Sequence, residues 1–276
     1  MSRFFGILVG VILLAGIGVI AWYHLHGDFD AEPAPAAAPA PAASASPPPE
    51  PAPATAAELR VPDEASSSPA LVLPPLAESD VAMRNELEAL VGRAPIESFL
   101  IPLQIVRRWV AFIDSLDRDG VPLQRRPAKA VSGRPAVETG SDGRLQLGAA
   151  NAQRYQSYIA VLQAIDAQKL VGFYFRYYPL FQQAYDELGY GDGAYFNTRL
   201  LEVIDHLLAT PQVEGPIALV QPKVLYQFAD PELESRSFGQ KMLIRMGADN
   251  AAAVKAKLRE IRAAIVARAR PAAGPG

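Results

Sequence analysis

His206 is the residue whose type and neighbours most readily suggest catalysis in this 276-residue sequence. It follows Glu202 by four residues in the segment EVIDHLL, so a helix would place both side chains on one face. An imidazole beside a carboxylate can act as a general base. The same spacing also suits a surface ion pair, and no G-x-S-x-G nucleophile motif accompanies it. We therefore keep His206 and Glu202 as catalytic candidates, with the surface ion pair as the simpler interpretation.

Other chemistry-bearing patterns are incomplete. One histidine with one carboxylate is short of a metal site, and the absence of cysteine excludes thiolate ligands, disulfides and cysteine nucleophiles. Carboxylates such as Glu232 and Glu234 do not by themselves establish the paired acids of a glycan hydrolase. We predict no cofactor and no metal, and the alternative of an envelope enzyme acting on peptidoglycan or a related polymer stays open.

A glycine-rich segment, GYGDGAYFN, precedes a predicted helix at residues 189–197. A helix N-terminus can hold an anion, but neither a dinucleotide-binding nor a P-loop motif is present. The segment is more simply a connector between helices. Its tyrosines, Tyr190 and Tyr195, are the aromatic residues that we expect to make exposed contacts.

Positive charge is concentrated in two places although the net charge is −3, a value that does not suggest a nucleic-acid-binding protein. The first is a predicted loop with Arg125 and Arg126, and the second is the last predicted helix with Lys255 and Arg259. Such a surface could meet an anionic envelope polymer or phospholipid headgroups. Its simpler interpretation is a solvated helix face with cations near the C-terminus.

The N-terminal 27 residues predict a membrane signal-anchor. Residues 4–23 are uncharged and apolar, which is long enough to cross the roughly 30 Å hydrocarbon core of a bilayer. A cleaved secretory leader is the alternative, but its apolar core is normally only about 7–15 residues long. Arg3 precedes the span and acids follow it, so we expect a cytoplasmic N-terminus and a periplasmic C-terminal domain in a bacterial inner membrane.

Residues 28–75 predict a disordered linker rich in proline and alanine. Nine prolines fall between residues 33 and 53, and each lacks a backbone donor and restricts the residue before it. Few large apolar residues are available to offset the entropy of ordering. Fully extended at ~3.1 Å per residue, the linker would reach on the order of 100 Å from the membrane.

Residues 76–268 predict a mainly helical domain, followed by a disordered tail at 269–276. Apolar residues recur at spacings of three and four, with a hairpin predicted over 136–147 and a less clear extended segment around Pro222. Asp166 is expected to cap one helix, Asn151 and Asn197 two others, and a single helix is expected from Asp230-Pro231 to residue 246. The fold class is therefore mainly α with one small β-hairpin.

The segment YFRYYPLFQQAYDELGY, residues 174–190, raises the question of whether its aromatic rings form a binding platform. Spacings of three and four place them on one side of a helix, which favours burial in the core. Pro179 is expected to kink or break that helix, because it removes one backbone hydrogen bond and crowds the preceding turn.

Two long strings carry a family resemblance: RYYPLFQQAYDELGY, and NTRLLEVIDHLLATPQVEGPIALVQPKVLYQFADPELESRSFGQKMLIRMG. They resemble an uncharacterised bacterial envelope family, domain of unknown function (DUF) family 3014, over most of residues 76–265. The anchor and Ala/Pro linker are also similar to that family's usual arrangement. The resemblance implies a membrane-anchored envelope protein and brings no activity, cofactor or site residues. From this organisation we expect an interaction or scaffold module whose partner is an envelope protein or anionic polymer.

Overall fold

The computed structural model describes residues 72–131, 133–191 and 193–269. The predicted anchor at 1–27, nearly all of the linker and the tail beyond residue 269 lie outside the described residues. Among the described residues, no helix is both long enough and apolar enough to cross a membrane.

Ten α-helices make up most of the described part of the chain. Their bounds are α1 Asp80–Val91, α2 Arg93–Phe99, α3 Ile105–Asp114, α4 Ala150–Gln153, α5 Gln156–Gln163, α6 Ala167–Asp186, α7 Phe196–Leu208, α8 Pro231–Glu234, α9 Phe238–Arg245 and α10 Ala248–Ala269. Short 3₁₀ turns lie at Leu76–Glu78 and Leu123–Arg125. The mainly helical fold is thus confirmed.

Helices α6 and α10 form the centre of the core. Helix α6 packs against α3 and α10, and α10 also contacts α5, α7 and α9. The aromatic stretch lies in this core: Tyr174, Tyr177 and Tyr185 are buried. Tyr174 meets the rings of Phe181 and Phe196 edge to face, at centroid distances of 5.5 and 6.3 Å. The interpretation of these rings as core residues is confirmed.

Helix α6 runs from Ala167 to Asp186 without interruption, so the predicted break at Pro179 is wrong. Pro179 is exposed, while Tyr177 and Leu180 beside it are buried. The proline removes one backbone hydrogen bond on the solvent side, and packing of its apolar neighbours keeps the helix continuous.

A small antiparallel sheet lies beside the helices, with strands β1 Val137–Thr139, β2 Leu145–Leu147, β3 Ala218–Val220 and β4 Gln227–Phe228 in that order. The β1–β2 hairpin was predicted and is confirmed, with Val137 opposite Leu147. The unclear segment supplies β3 and β4, and Pro222 lies in the loop between them. Ile217, Leu219 and Phe228 pack with Ile244 of α9 into a second, smaller core.

The predicted helix caps are correct in part. Asp166 caps α6 by accepting a hydrogen bond from the Lys169 backbone N–H at 3.0 Å. Asn151 lies inside α4 instead of capping a helix, where its amide donates to the Arg245 carbonyl at 2.7 Å. Asn197 lies inside α7, and its Oδ1 accepts from the Tyr174 hydroxyl at 3.2 Å. Both asparagines are buried, so their side chains join elements distant in sequence.

The single helix predicted from Asp230 to residue 246 is two helices. Asp230 caps α8 as expected, but α8 ends at Glu234 and Ser237 caps α9 by accepting from the Gln240 N–H at 3.3 Å. The break brings Ser237 against α7, beside His206.

Candidate functional site

His206 does not pair with Glu202 as the sequence predicts. Its Nε2 atom lies 2.8 Å from the Ser237 hydroxyl. Glu202 is 61% exposed, and its carboxylate lies 3.6 Å from the guanidinium of Arg199. Asp205, the other acid next to His206, accepts two hydrogen bonds from Arg262 at 2.6 and 2.9 Å. The expected histidine–carboxylate pair is therefore replaced by a histidine–serine contact.

The contact between His206 and Ser237 has the atoms of a nucleophile and its base, so its surroundings decide what it can do. A hydrolytic serine at a helix start needs backbone N–H groups free to hold an oxyanion. Here the N–H of Phe238 donates to the Arg118 carbonyl at 2.7 Å, and that of Gly239 to the Leu116 carbonyl at 2.8 Å. The backbone N–H groups of Phe238 and Gly239 are thus already bonded to the segment that follows α3, and the contact between His206 and Ser237 joins α9 to α7.

The surface around His206 is an open groove of about 460 Å³ lined by Asp117, Asp119 and Glu232, among other residues. Asp117 is held by Arg199 rather than by His206. No group of three or more His, Cys, Asp or Glu side chains in the described part of the chain is arranged to hold a metal ion.

An ionic cluster around the buried carboxylate of Asp114 joins α3, α7 and the glycine-rich connector. We call Asp114, Asp117, Arg118, Tyr190 and Arg199 the Asp114 cluster. The carboxylate of Asp114 is 2% exposed. It accepts from Arg199 Nε at 2.9 Å, from Arg118 at 2.7 Å and from the Tyr190 hydroxyl at 2.6 Å. Arg199 also donates to Asp117 at 2.7 Å.

The Asp114 cluster shifts the pKa values of its members. Burial by itself lowers the pKa of Arg199. Hydrogen bonds and charges from Asp117 and Asp114 raise it by more than burial lowers it, so the net pKa is above the ordinary value. Burial raises the pKa of Asp117, yet the hydrogen bond and charge of Arg199 outweigh it and the net pKa is lowered. Each charge therefore stabilises the other, as expected for a paired cluster.

The two connector tyrosines have different environments. Tyr190 is 47% exposed, as predicted, but its hydroxyl is held by Asp114 and Arg118 and its ring lies 5.1 Å from that of Tyr185. Tyr195 is half-buried at the start of α7. Tyr190, one of the two tyrosines predicted to make exposed contacts, thus has a structural role in closing the Asp114 cluster.

The basic loop is less basic at its surface than the sequence indicates. Arg125 is exposed, but Arg126 is buried, with its guanidinium 5.9 Å from the centre of the Phe238 ring. Burial lowers the pKa of Arg126 to about 10. Its Nη2 donates to the Val121 carbonyl at 3.2 Å. Arg126 is therefore removed from any exposed basic surface by packing that sequence charge alone does not reveal.

Lys255 and Arg259 of α10 line one cleft, which we call the α10 cleft. It has a volume of about 240 Å³, and its opposite wall is the 211–213 segment that follows α7. The Lys255 ammonium donates to the Thr210 carbonyl. Within the described residues, Arg259 forms no hydrogen bond or ion pair, and no Asp or Glu lines the cleft. Gln212, which also lines the cleft, donates its side-chain amide to Glu214 at 3.2 Å.

The α10 cleft leaves two positive charges beside each other. Burial lowers the pKa of Lys255, and the charge of Arg259 lowers it further. The other α10 cations are occupied: Lys257 donates to Glu260 and the Ile165 carbonyl, Arg262 pairs with Asp205, and Arg268 lies over the Phe175 ring. The cleft is thus the place on α10 where a bound anion would relieve repulsion.

The comparisons with known proteins give one match. A family model described as protein of unknown function (DUF3014) covers residues 105–262. The chain belongs to the DUF3014 family. No curated protein and no solved structure matches it.

The DUF3014 match begins at the first residue of α3 and extends into α10. It includes both the Asp114 cluster and the two cations of the α10 cleft. Sequence reasoning missed Asp114, Arg199 and Ser237 in this region. The sequence did not mark Asp114 as a site residue, because a single acid at the end of an apolar helix is ordinarily solvated. The four-residue spacing of Lys255 and Arg259, by contrast, did place them on one helix face.

Proposed function

We propose that this DUF3014 protein is a membrane-anchored interaction or scaffold module of the bacterial envelope. In this proposal residues 4–23 hold it in the inner membrane, the linker to residue 75 spaces the domain from the bilayer, and the domain lies in the periplasm. The domain binds an anionic group of an envelope protein or polymer through the α10 cleft.

The observation that carries the proposal is the pair of cations without a carboxylate. Like charges four residues apart on a helix destabilise it modestly, whereas Lys257 and Arg262 of the same helix each have an acid partner, Glu260 and Asp205. Lys255 is also partly removed from water, which lowers its pKa. A carboxylate or phosphate placed between Lys255 and Arg259 would relieve both effects and form charge-assisted hydrogen bonds.

The shape of the cleft favours one anionic group over a flat contact. Gly247 and Ala248, at the start of α10, line it together with Pro211 and Val213. The partial positive charge of a helix N-terminus adds to the potential of the two side chains. The apolar wall gives a partner chain somewhere to pack while its anion is held.

An envelope enzyme is the second candidate, and the 2.8 Å contact between His206 and Ser237 is the observation that favours it. Since the adjoining N–H groups of α9 are already bonded, such an enzyme would need oxyanion donors from elsewhere. Loss of cellular function in a folded His206→Ala variant, with function retained in Arg259→Glu, would favour this candidate.

The proposal is tested by crosslinking the full-length chain in living cells and identifying what is captured by mass spectrometry. We expect reproducible capture of one envelope protein or polymer, lost in the Lys255→Glu/Arg259→Glu double variant. Lys223→Glu, an exposed charge reversal on the β3–β4 loop, is the matched control and should retain capture. Capture that survives the double variant, or capture of abundant neighbours alone, would contradict the proposal.

A further inference from the structure

The helical core contains a cavity that the proposed function does not use. It has a volume of about 100 Å³ and lies between α1, α3, α6, α7 and α10. All of its wall residues are apolar or aromatic, including Trp109, Phe112, Ile204 and Ile265. The one hydroxyl on a wall residue, that of Tyr174, is engaged by Asn197 at 3.2 Å.

The cavity is unsuited to water. A buried water needs two to four polar partners, and the wall side chains carry only two polar groups, the engaged hydroxyl of Tyr174 and the indole N–H of Trp109. An apolar cavity of roughly 150 Å³ in another protein stays dry and binds benzene or xenon. The present cavity has about two thirds of that volume, which is enough for a segment of a few carbon atoms.

The least buried residues of the wall lie on α6 and α7. Phe181 and Leu200 are half-buried, whereas the wall residues on α10 and α3 are buried. A narrow, flexible hydrocarbon chain would enter beside one of these less buried side chains, and any polar end of the molecule would remain at the surface. A charged or strongly polar ligand would lose its hydration inside without gaining a partner.

We propose that this cavity binds the end of an aliphatic chain, as a site independent of the α10 cleft. Recognition is by volume and apolar contact, since the wall consists of apolar and aromatic side chains. The cavity side of α10, which includes Leu258 and Ile261, is not the side that carries Lys255 and Arg259. Occupancy of the cavity therefore does not require an anion in the cleft.

Trp109 makes the proposal directly measurable. The sequence has two tryptophans, so a Trp22→Phe background leaves Trp109 in the cavity wall as the only one. The probe is 1-bromobutane, a heavy-atom quencher of tryptophan fluorescence, added to the full-length chain in lipid nanodiscs. We expect quenching that saturates with probe concentration, which marks a site, in place of a linear collisional response.

Two variants fix the location. Val171→Ile with Val203→Ile adds two methyl groups to the wall, and the saturable quenching should be lost; Val220→Ile, an exposed site on β3, should leave it unchanged. If the filled variant does not fold, Ile204→Val enlarges the cavity and should tighten probe binding. Linear quenching in the parent, or saturable quenching that ignores these wall changes, would overturn the proposal.

Discussion

Arg199 and Arg259 lie on two helices of one domain and have opposite surroundings. Arg199 is 16% exposed and donates to two carboxylates, those of Asp114 and Asp117. Arg259 is exposed, faces Lys255 across one helical turn and has no acid in its cleft. Both residues fall within the region that identifies the family.

The difference indicates what each charge is for. A buried guanidinium must be paired, because an isolated charge out of water is expensive, and the Asp114 cluster supplies that pairing while fixing α3 against α7 and the connector. An exposed cation that no internal group requires contributes little to folding. The positions whose charge the fold does not need are therefore the ones free to bind something else.

The largest expected effect comes from comparing the same substitution, arginine to glutamine, made separately at Arg199 and at Arg259. Arg199→Gln leaves the buried Asp114 without its main partner, and we expect the free energy of unfolding to fall by about 3–5 kcal/mol. Arg259→Gln should change it by less than about 0.5 kcal/mol. Urea denaturation of the purified protein measures both. Equal effects of the two substitutions would remove the distinction between the cluster and the cleft.

A smaller effect is expected at the connector. Tyr190→Phe deletes the hydroxyl that donates to Asp114 at 2.6 Å, and a hydrogen bond to a charged group contributes about 1.5–3 kcal/mol when it is well buried. Because Tyr190 is partly exposed, we expect a loss of about 1 kcal/mol. Tyr195→Phe is the matched control, since its hydroxyl has no hydrogen bond within the described residues, and it should be close to neutral. A thermal or urea midpoint that moves as far for Tyr195→Phe would argue against a closing role for Tyr190.

The smallest effect concerns acid. The pKa of Asp117 is below its ordinary value of 3.8 in the folded state, so its contribution to stability is present above that value and is lost as pH falls through the folded-state pKa. Between pH 5 and pH 2 the parent should lose more stability than Asp117→Asn, by less than about 1 kcal/mol because the side chain is partly exposed. Asp119→Asn serves as control. If the stability of the parent and of Asp117→Asn changes with pH in parallel, the pairing of Asp117 with Arg199 does not contribute to stability.

Local patterns predicted the helices well, because apolar spacing of three and four is a property of each segment by itself. The Asp166 cap and the β1–β2 hairpin are local in the same sense. Asn151 and Asn197 were mistaken for caps because a capping asparagine and a buried asparagine joining distant segments have the same sequence signature. Pro179 was given too much weight, since tertiary packing around Tyr177 and Leu180 overrides the loss of one hydrogen bond.

The candidate site was predictable only in part. The helical spacing of Lys255 and Arg259 was readable, but the 211–213 wall that turns a helix face into a cleft comes from a segment more than forty residues earlier. The burial of Arg126 depends on Phe238, and the partner of His206 depends on a helix break at Ser237. Each of these relations joins residues far apart in sequence, and a single sequence carries no signal for them.

In the proposed function the α10 cleft holds an anion and the Asp114 cluster does not. Nuclear magnetic resonance can follow the arginine Nε–H and lysine side-chain signals of the full-length chain while inorganic phosphate is added. We predict saturable shifts at Arg259 and Lys255, with Arg199 and the exposed control Lys223 unmoved. Shifts that are absent at Arg259, or that are as large at Lys223, would contradict the account.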